Sequence, residues 1–355
     1  MPFYYTLGHE AIEERQRTAQ NLLRLREQLR SDVPNRTVKN TLLLATWNIR
    51  EFGKHMTGRF ARLNESYFYI AEILSAFDLI ALQEVDRDLT ALQKVMSILG
   101  PSWAYFAGDT ATGAVGVRRR LVFLYDTRKV EFMNMAGQVV LDEKRLIEGK
   151  YQFARPPYLV TFRSGWFEFD LCAVNIYYGM SRGEKLRRRI GEIDTIGKLM
   201  KRRVMTEDKN VILLGDFNIE SPQHETMKAL TKHGFHIPKE LIVPSNIKET
   251  RYYSQIAFMV RKHELQLGSS TPPAGVFRYY DSVYRNEDLD IYYKLADDKE
   301  HWDFKQGRKL SKEERRRAYE VFWRSHQMSD HYPLWVELKI DFSDAFLGGL
   351  RSGQD

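Results

Sequence analysis

The chain has 355 residues, 43% of them hydrophobic and 13% aromatic, enough for one large domain or two small ones around a sizeable core. Nothing in it is repetitive or of low complexity, which excludes disordered and solenoid organisations, and a lone cysteine excludes an internal disulfide and a cysteine-rich zinc site. A formal charge of +7 favours an anionic partner such as nucleic acid, a phosphoinositide or an acidic membrane surface, although mild basicity is also common without one.

The cysteine, Cys172, lies in the apolar run LCAV and reads as a small core residue, compatible with a reducing compartment. The N-terminus, MPFYYTLGHEAIEERQR, has no basic segment followed by an apolar one. No window reaches the length of an uncharged transmembrane span, so a soluble, cytoplasmic protein is expected.

Taken in order, residues from Gly8 to Arg30 predict a helix, with Ile12, Ala19, Leu22, Leu23, Leu25 and Leu29 near helical spacing. Thr41–Ile49 is a predicted strand ending on Asn48, Phe68–Leu74 a helix, and Asp78–Leu82 a second strand ending in Gln83-Glu84-Val85-Asp86. Leu89–Leu99 is helical. Arg120–Asp126 and Gln138–Leu141 predict strands, and Pro157–Phe162 with Phe167–Ile176 an adjacent antiparallel pair. Ser181–Val204 predicts a helix that opens on a capping box, Ser181-x-x-Glu184, with Arg187–Arg189 and Lys201–Arg203 outside its apolar stripe, as a solvated face or as contacts to nucleic acid. Strand Val211–Gly215, helix Glu225–Lys232 and strand Tyr252–Val260 follow. The segment His263–Gln327 is rich in tyrosine and charge, and Ser329-Asp-His-Tyr-Pro leads into a last strand. Three parts are expected: an N-terminal helical extension over 1–36, a domain over 37–345 carrying a 263–327 insertion, and a 346–355 tail.

The stretch VILLGDFNIESP, Val211–Pro222, carries the first chemical signal. An apolar run breaks into Asp216 and Asn218, which share a face in extended chain and can reach one ligand. Asp-x-Asn is as often only a turn. Yet three other strands also end or begin in such groups: Asn48, Glu84, and Asp330 with His331. Each has a plainer reading of its own, as a turn cap, a solvated helix start or a satisfied core histidine. Four strands that all break off into carboxamide, carboxylate or imidazole point instead to one site for metal and phosphate.

At this point the chain resembles the endonuclease/exonuclease/phosphatase superfamily, the deoxyribonuclease I-like fold. The resemblance is carried by TWNIREFG, IALQEVD, RLVFLYD, FARPPYLVTF, ILLGDFNIESP, YYSQIAFMV and SDHYPLWVEL, in that order over most of Thr41–Ile340. It implies an α/β (α+β) four-layer sandwich, two packed mixed sheets flanked by helices, and Mg²⁺- or Mn²⁺-dependent hydrolysis of a phosphate ester. Such chemistry needs a hard cation with oxygen ligands, and positioning and electrostatics carry most of the rate. By resemblance Glu84 is the main metal ligand, with Asn48 and Asp330 beside it. Asp216 orients or deprotonates the attacking water, Asn218 donates to a phosphate oxygen, His331 stabilises the pentacovalent phosphate, and Arg155 holds the scissile phosphate.

Two positions depart from that pattern. Many relatives carry histidine or tyrosine at the end of the strand before the long helix, where this chain has Asn175, or Tyr177 in a looser register. Relatives often carry an aspartate, partner of an active-site histidine, where this chain has Ser254, here grouped with Arg155 and Asn218 as a phosphate contact. A leaving-group acid at Asn175 is thereby weakened: Tyr177 or a metal-bound water replaces it, or activity is low, or the site was disabled. The expected function is a metal-dependent phosphodiesterase, a nuclease on DNA or RNA. The alternatives are a phosphatase on a phosphoinositide or other small phosphate ester, and a binding or regulatory protein of the same fold. Tyr279, Tyr280, Tyr292, Tyr293 and Trp302 in the 263–327 insertion would stack bases or form a lid, or else pack as a cover over one sheet.

Overall fold

Alternating burial along the central strands sets the layers. The computed structural model describes residues 2–54, 61–109, 119–260, 265–295, 302–303 and 308–352. Strands run in chain order β1 (Thr41–Phe52), β2 (Leu79–Asp86), β3 (Trp103–Ala107), β4 (Arg119–Asp126), β5 (Glu131–Gln138), β6 (Tyr158–Ser164), β7 (Phe167–Asn175) and β8 (Val211–Asp216). They continue with β9 (Ser254–Met259), β10 (Ala274–Val276), the short β11 (Trp302–Asp303) and β12 (Arg308–Lys309), and β13 (Leu334–Lys339). In β1, Leu42 and Leu44 enter one core while Leu43, Ala45 and Trp47 enter another; β2 splits Leu79 and Ala81 from Ile80 and Leu82 in the same way. Successive side chains point to opposite faces, so strands buried on both sides read as unbroken apolar runs.

Two sheets result, in the order β10-β13-β1-β2-β4-β3 and β5-β6-β7-β8-β9, with β11 and β12 pairing separately. One core lies between the sheets. The second lies on the outer face of the first sheet, under helices α1 (Ile12–Asp32), α2 (Asn64–Ser75) and α3 (Thr90–Leu99). On the far side of the second sheet, α4 (Gly183–Glu207) inserts Ile193, Ile196 and Met200, with α5 (Glu225–Thr231) beside it. These are the four layers expected. No helix of the described residues is long and apolar enough to cross a membrane.

Several sequence expectations change in detail. The strand expected at Gln138–Leu141 lies earlier, as β5. It is an edge strand with a half-exposed pattern and a register break between Phe132 and Ala136, which dilutes the apolar signal, while Val140 is exposed. The capping box on α4 does not form: Arg182 is the N-cap residue, and Glu184 instead bonds Lys150 and Tyr151. A capping box forms later, between Ser311 and Glu314, ahead of the helix Lys312–Arg317. The basic cluster Arg187–Arg189 is not all solvated, since Arg189 is buried and Arg188 lies between the rings of Tyr151 and Tyr177 at 4.5 and 4.4 Å. From the 263–327 segment, Tyr279, Tyr280 and Tyr292 are buried in the outer core, the cover arrangement rather than a stacking face. The side chains of Tyr293 and Trp302 lie outside the described residues.

Candidate active site

Strand direction gathers the polar breaks. β1 runs parallel to β2, and β7 parallel to β8, while β4, β9 and β13 are antiparallel to their neighbours. The C-terminal ends of the first four therefore meet the starts of the last three. Across the second sheet Asn175, Asp216 and Ser254 stand in register, and Asn48 Nδ2 bridges the two sheets by donating to Asp216 Oδ2 at 2.9 Å. Ser329 fixes the segment carrying His331: its hydroxyl donates to the Asn48 carbonyl at 2.6 Å and accepts from the His331 N–H at 3.1 Å.

The backbone here is unusual. Glu51, Glu84 and Asn218 all have positive φ, at 47°, 65° and 52°. Such residues cost on the order of 1–3 kcal/mol each and concentrate at functional sites. At Asn218 the turn lets its own N–H donate to Asp216 Oδ1 at 3.0 Å, while its carboxamide Nδ2 donates to the Ile176 carbonyl at 2.8 Å. Asp216 is buried, and burial first of all raises its pKa above 3.8, with Glu84 adding to the rise. His331, the Asn218 N–H and Asn48 oppose that rise.

Around Asp216 sit buried polar atoms without partners among the described residues: Asn48 Oδ1, Asn175 Nδ2, Ser254 Oγ, His331 Nδ1 and Arg155 Nε. Buried polar atoms are nearly all paired in folded proteins, and an orphan costs about 1–3 kcal/mol. Five at one end of a sandwich suit a site that takes polar ligands or water. Arg155 donates to the Asn175 carbonyl at 3.3 Å; burial lowers its pKa, and Glu84 and Asp216 act in the opposite sense.

Not every expected residue joins this group. The Tyr177 ring packs on Arg188, and its N–H donates to Glu192. Asp330 is held through its carbonyl, which accepts from the Ile247 N–H; its carboxylate acts on the buried hydroxyls of Tyr279 and Tyr280, and among the described residues it bonds none of Glu84, Asn48 or Asp216. No three His, Cys, Asp or Glu side chains among the described residues are grouped as a metal would need. The remaining donors still fit a hard cation of the magnesium kind, which is held by one or two carboxylates and keeps several waters. Asn48 Oδ1 is an unpartnered acceptor, and the contacts of Glu84 with the Glu51 N–H and Arg119 both fall on Oε2, so neither uses Oε1.

Three charged residues were not singled out from sequence. Arg119 opens β4 and pairs with both Glu51 and Glu84. Arg189 is buried against the Asn218 carbonyl and Glu220. Glu192 is fully buried and accepts from the N–H groups of Ala154 and Tyr177, both at 3.0 Å, clamping the loop that carries Arg155 to the end of β7. A signal for the last two existed, since both fall at helical spacing among Ile193, Ile196 and Met200. Glu192→Gln places an amide donor against one of those N–H groups. It should lower kcat/KM about tenfold, mainly through KM, by loosening Arg155. Steady-state kinetics showing an unchanged KM would remove that clamping role.

No family model matches the chain, and no curated protein matches it. Solved structures do. An endonuclease/exonuclease/phosphatase from Bacteroides vulgatus is 13% identical with a TM-score of 0.52, covering 85% of this chain and 100% of that one. An endonuclease/exonuclease/phosphatase family protein from Bacteroides thetaiotaomicron is 18% identical, TM-score 0.50, covering 86% and 98%. The human Nocturnin catalytic domain with bound sulfate anion is 14% identical, TM-score 0.50, covering 84% and 94%. With two mixed sheets of six and five strands between helical layers, and these structures matching it over most of its length, the chain has the deoxyribonuclease I-like fold of the endonuclease/exonuclease/phosphatase proteins.

Proposed function

We propose that the protein is a divalent-cation-dependent phosphodiesterase acting on nucleic acid. The observation that carries this reading is the bond from Asn48 to Asp216, which joins the strand ends of both sheets beside Glu84, Arg155 and His331. Glu84 and Asn48 would hold Mg²⁺ or Mn²⁺, which when bound supplies positive charge to offset that building on the phosphate. Asp216 accepts a proton from the attacking water as the water oxygen bonds to phosphorus and the ester P–O bond breaks, the departing oxygen taking its proton from solvent water. Its raised pKa improves it as a base. Arg155 binds the phosphate, as does the second N–H of the Asn218 carboxamide, and His331 stabilises the five-coordinate phosphate. Ser254 and Asn175 offer their unpartnered Oγ and Nδ2 to the same anion. That the similar Nocturnin domain binds sulfate fits an anion site of this kind. The net charge of +7 favours a polyanionic substrate, DNA or RNA.

A second reading, a protein of reduced turnover, is favoured by one observation. His331 Nδ1 and Ser254 Oγ are both unpartnered among the described residues, and no carboxylate among these orients the imidazole through that nitrogen. Assaying the full chain with Mg²⁺ on duplex and single-stranded DNA, RNA and inositol phosphates separates the readings. Cleavage of nucleic acid is the expected result; release of phosphate from the inositol compounds alone would replace it with a small-ester phosphatase. Glu84→Gln should weaken Mn²⁺ binding at least tenfold in calorimetry. Cleavage that survives in this variant at limiting cation would remove Glu84 from the site.

A further inference from the structure

The resting partner of Glu84 is a guanidinium. Arg119 reaches it from the first residue of β4, opposite Asp86 on β2, and pairs through one nitrogen with Glu84 Oε2 and through the other with Glu51 Oε1 at 2.9 Å. The Glu51 N–H donates to the same Glu84 oxygen at 3.0 Å, and Lys54 joins Glu51 at 2.7 Å. Glu51 and Glu84 both hold left-handed backbone where β1 and β2 break register, so their carboxylates are presented to Arg119 by strand irregularities and not by regular strand. Arg119 and Glu84 are each about one-fifth exposed, at 21% and 17%, shielded enough for the charge pair to matter and open enough to exchange partners. A second guanidinium, Arg155, lies within electrostatic reach of both.

We propose that Arg119 is a built-in competitor for the cation site: its guanidinium neutralises Glu84 until a divalent cation displaces it, and so lowers the affinity of the free protein for that cation. The proposal rests on the reading of Glu84 as a cation ligand. Two like charges cannot share one carboxylate without mutual repulsion, so a cation arriving at Glu84 must weaken the Arg119 pair or be weakened by it. Glu51 gives the displaced guanidinium a place to stay, which keeps it close to an incoming phosphate. Arginine suits this better than lysine because its planar fork spans two carboxylates at once.

Mn²⁺ titration of the full chain, followed by the electron paramagnetic resonance of the free ion, reads the effect without any turnover. Arg119→Gln should bind Mn²⁺ about tenfold tighter than the unaltered protein, the scale on which neighbours of metal ligands act. Arg119→Lys should fall between them. Equal or weaker binding in Arg119→Gln, with a melting temperature showing it folded, overturns the proposal. Should that variant not fold, Arg119→Lys decides by the same criterion. Glu84→Gln separates the two failures. If it loses Mn²⁺ while the Arg119 variants match the parent, only the competitor role is wrong; if it binds Mn²⁺ as the parent does, the cation reading of Glu84 is wrong and the proposal falls with it.

Discussion

Replacing Asp216 by asparagine should reduce phosphodiester hydrolysis about a thousandfold, or about 4 kcal/mol of transition-state stabilisation, while leaving the fold intact. The loss follows from the proposed role of Asp216 as the base. Retention of the fold follows from the surroundings. Asp216 accepts two bonds, from the Asn218 N–H on Oδ1 and from Asn48 Nδ2 on Oδ2. An asparagine keeps one acceptor for the Asn218 N–H and turns an amide toward Asn48. Asn48 can meet it by rotating its carboxamide, because its Oδ1 has no partner to lose. The variant also removes a buried charge. A carboxyl whose pKa is raised on folding costs stability above its unfolded-state value and is relieved of that cost as pH falls. At neutral pH the variant should therefore melt no lower than the parent. In the parent, the acid limb of kcat/KM should lie above the ordinary aspartate value of 3.8, because the base must be ionised to act. Near-normal turnover in a folded Asp216→Asn variant would show that another group takes the proton.

Much of this site was legible because it depends on local grammar. Apolar strands announce themselves, and the residues at which they break, Asn48, Glu84, Asp216, Asn218 and His331, stand out by contrast. What the sequence concealed was pairing across distance. Arg119 stands 35 residues beyond Glu84 and meets it only because β4 returns antiparallel beside β2. Glu192 was visible as a charge at the edge of an apolar stripe, yet the two backbone N–H groups that justify burying it come from separate loops. Asp330 is a different case. The resemblance set it beside Asn48 and Glu84, whereas successive residues of an extended segment face apart, and its carboxylate acts on the tyrosine cover. The cover itself was legible as aromatic composition, and its burial followed from the need to close the outer core over β1 and β13.

The residue before the base tests how tightly the two sheets' chemistry depends on strand packing. Gly215 has φ of +131°, a conformation side chains rarely adopt, and stands in parallel register with Val174. A Cβ built there would lie 2.1 Å from the Val174 carbonyl oxygen and 3.0 Å from its nitrogen. Those are backbone atoms of β7, in the interior of the five-stranded sheet, and they cannot move aside as a flexible side chain would. Gly215→Ala therefore adds backbone strain to overpacking, and should lower the unfolding free energy by about 3 kcal/mol or more. Relief can come only by parting β7 from β8. That displaces Asn175 and Asp216, the next pair along the register, so activity should fall further than the folded fraction accounts for. Gly137 in β5 is the control: a Cβ there meets nothing within 4 Å, and Gly137→Ala should be neutral or slightly stabilising. Urea unfolding of the two variants beside the parent gives the comparison. Equal stability of Gly215→Ala and Gly137→Ala would mean that β7 and β8 do not meet in this register, and the alignment of Asn175, Asp216 and Ser254 would have to be redrawn.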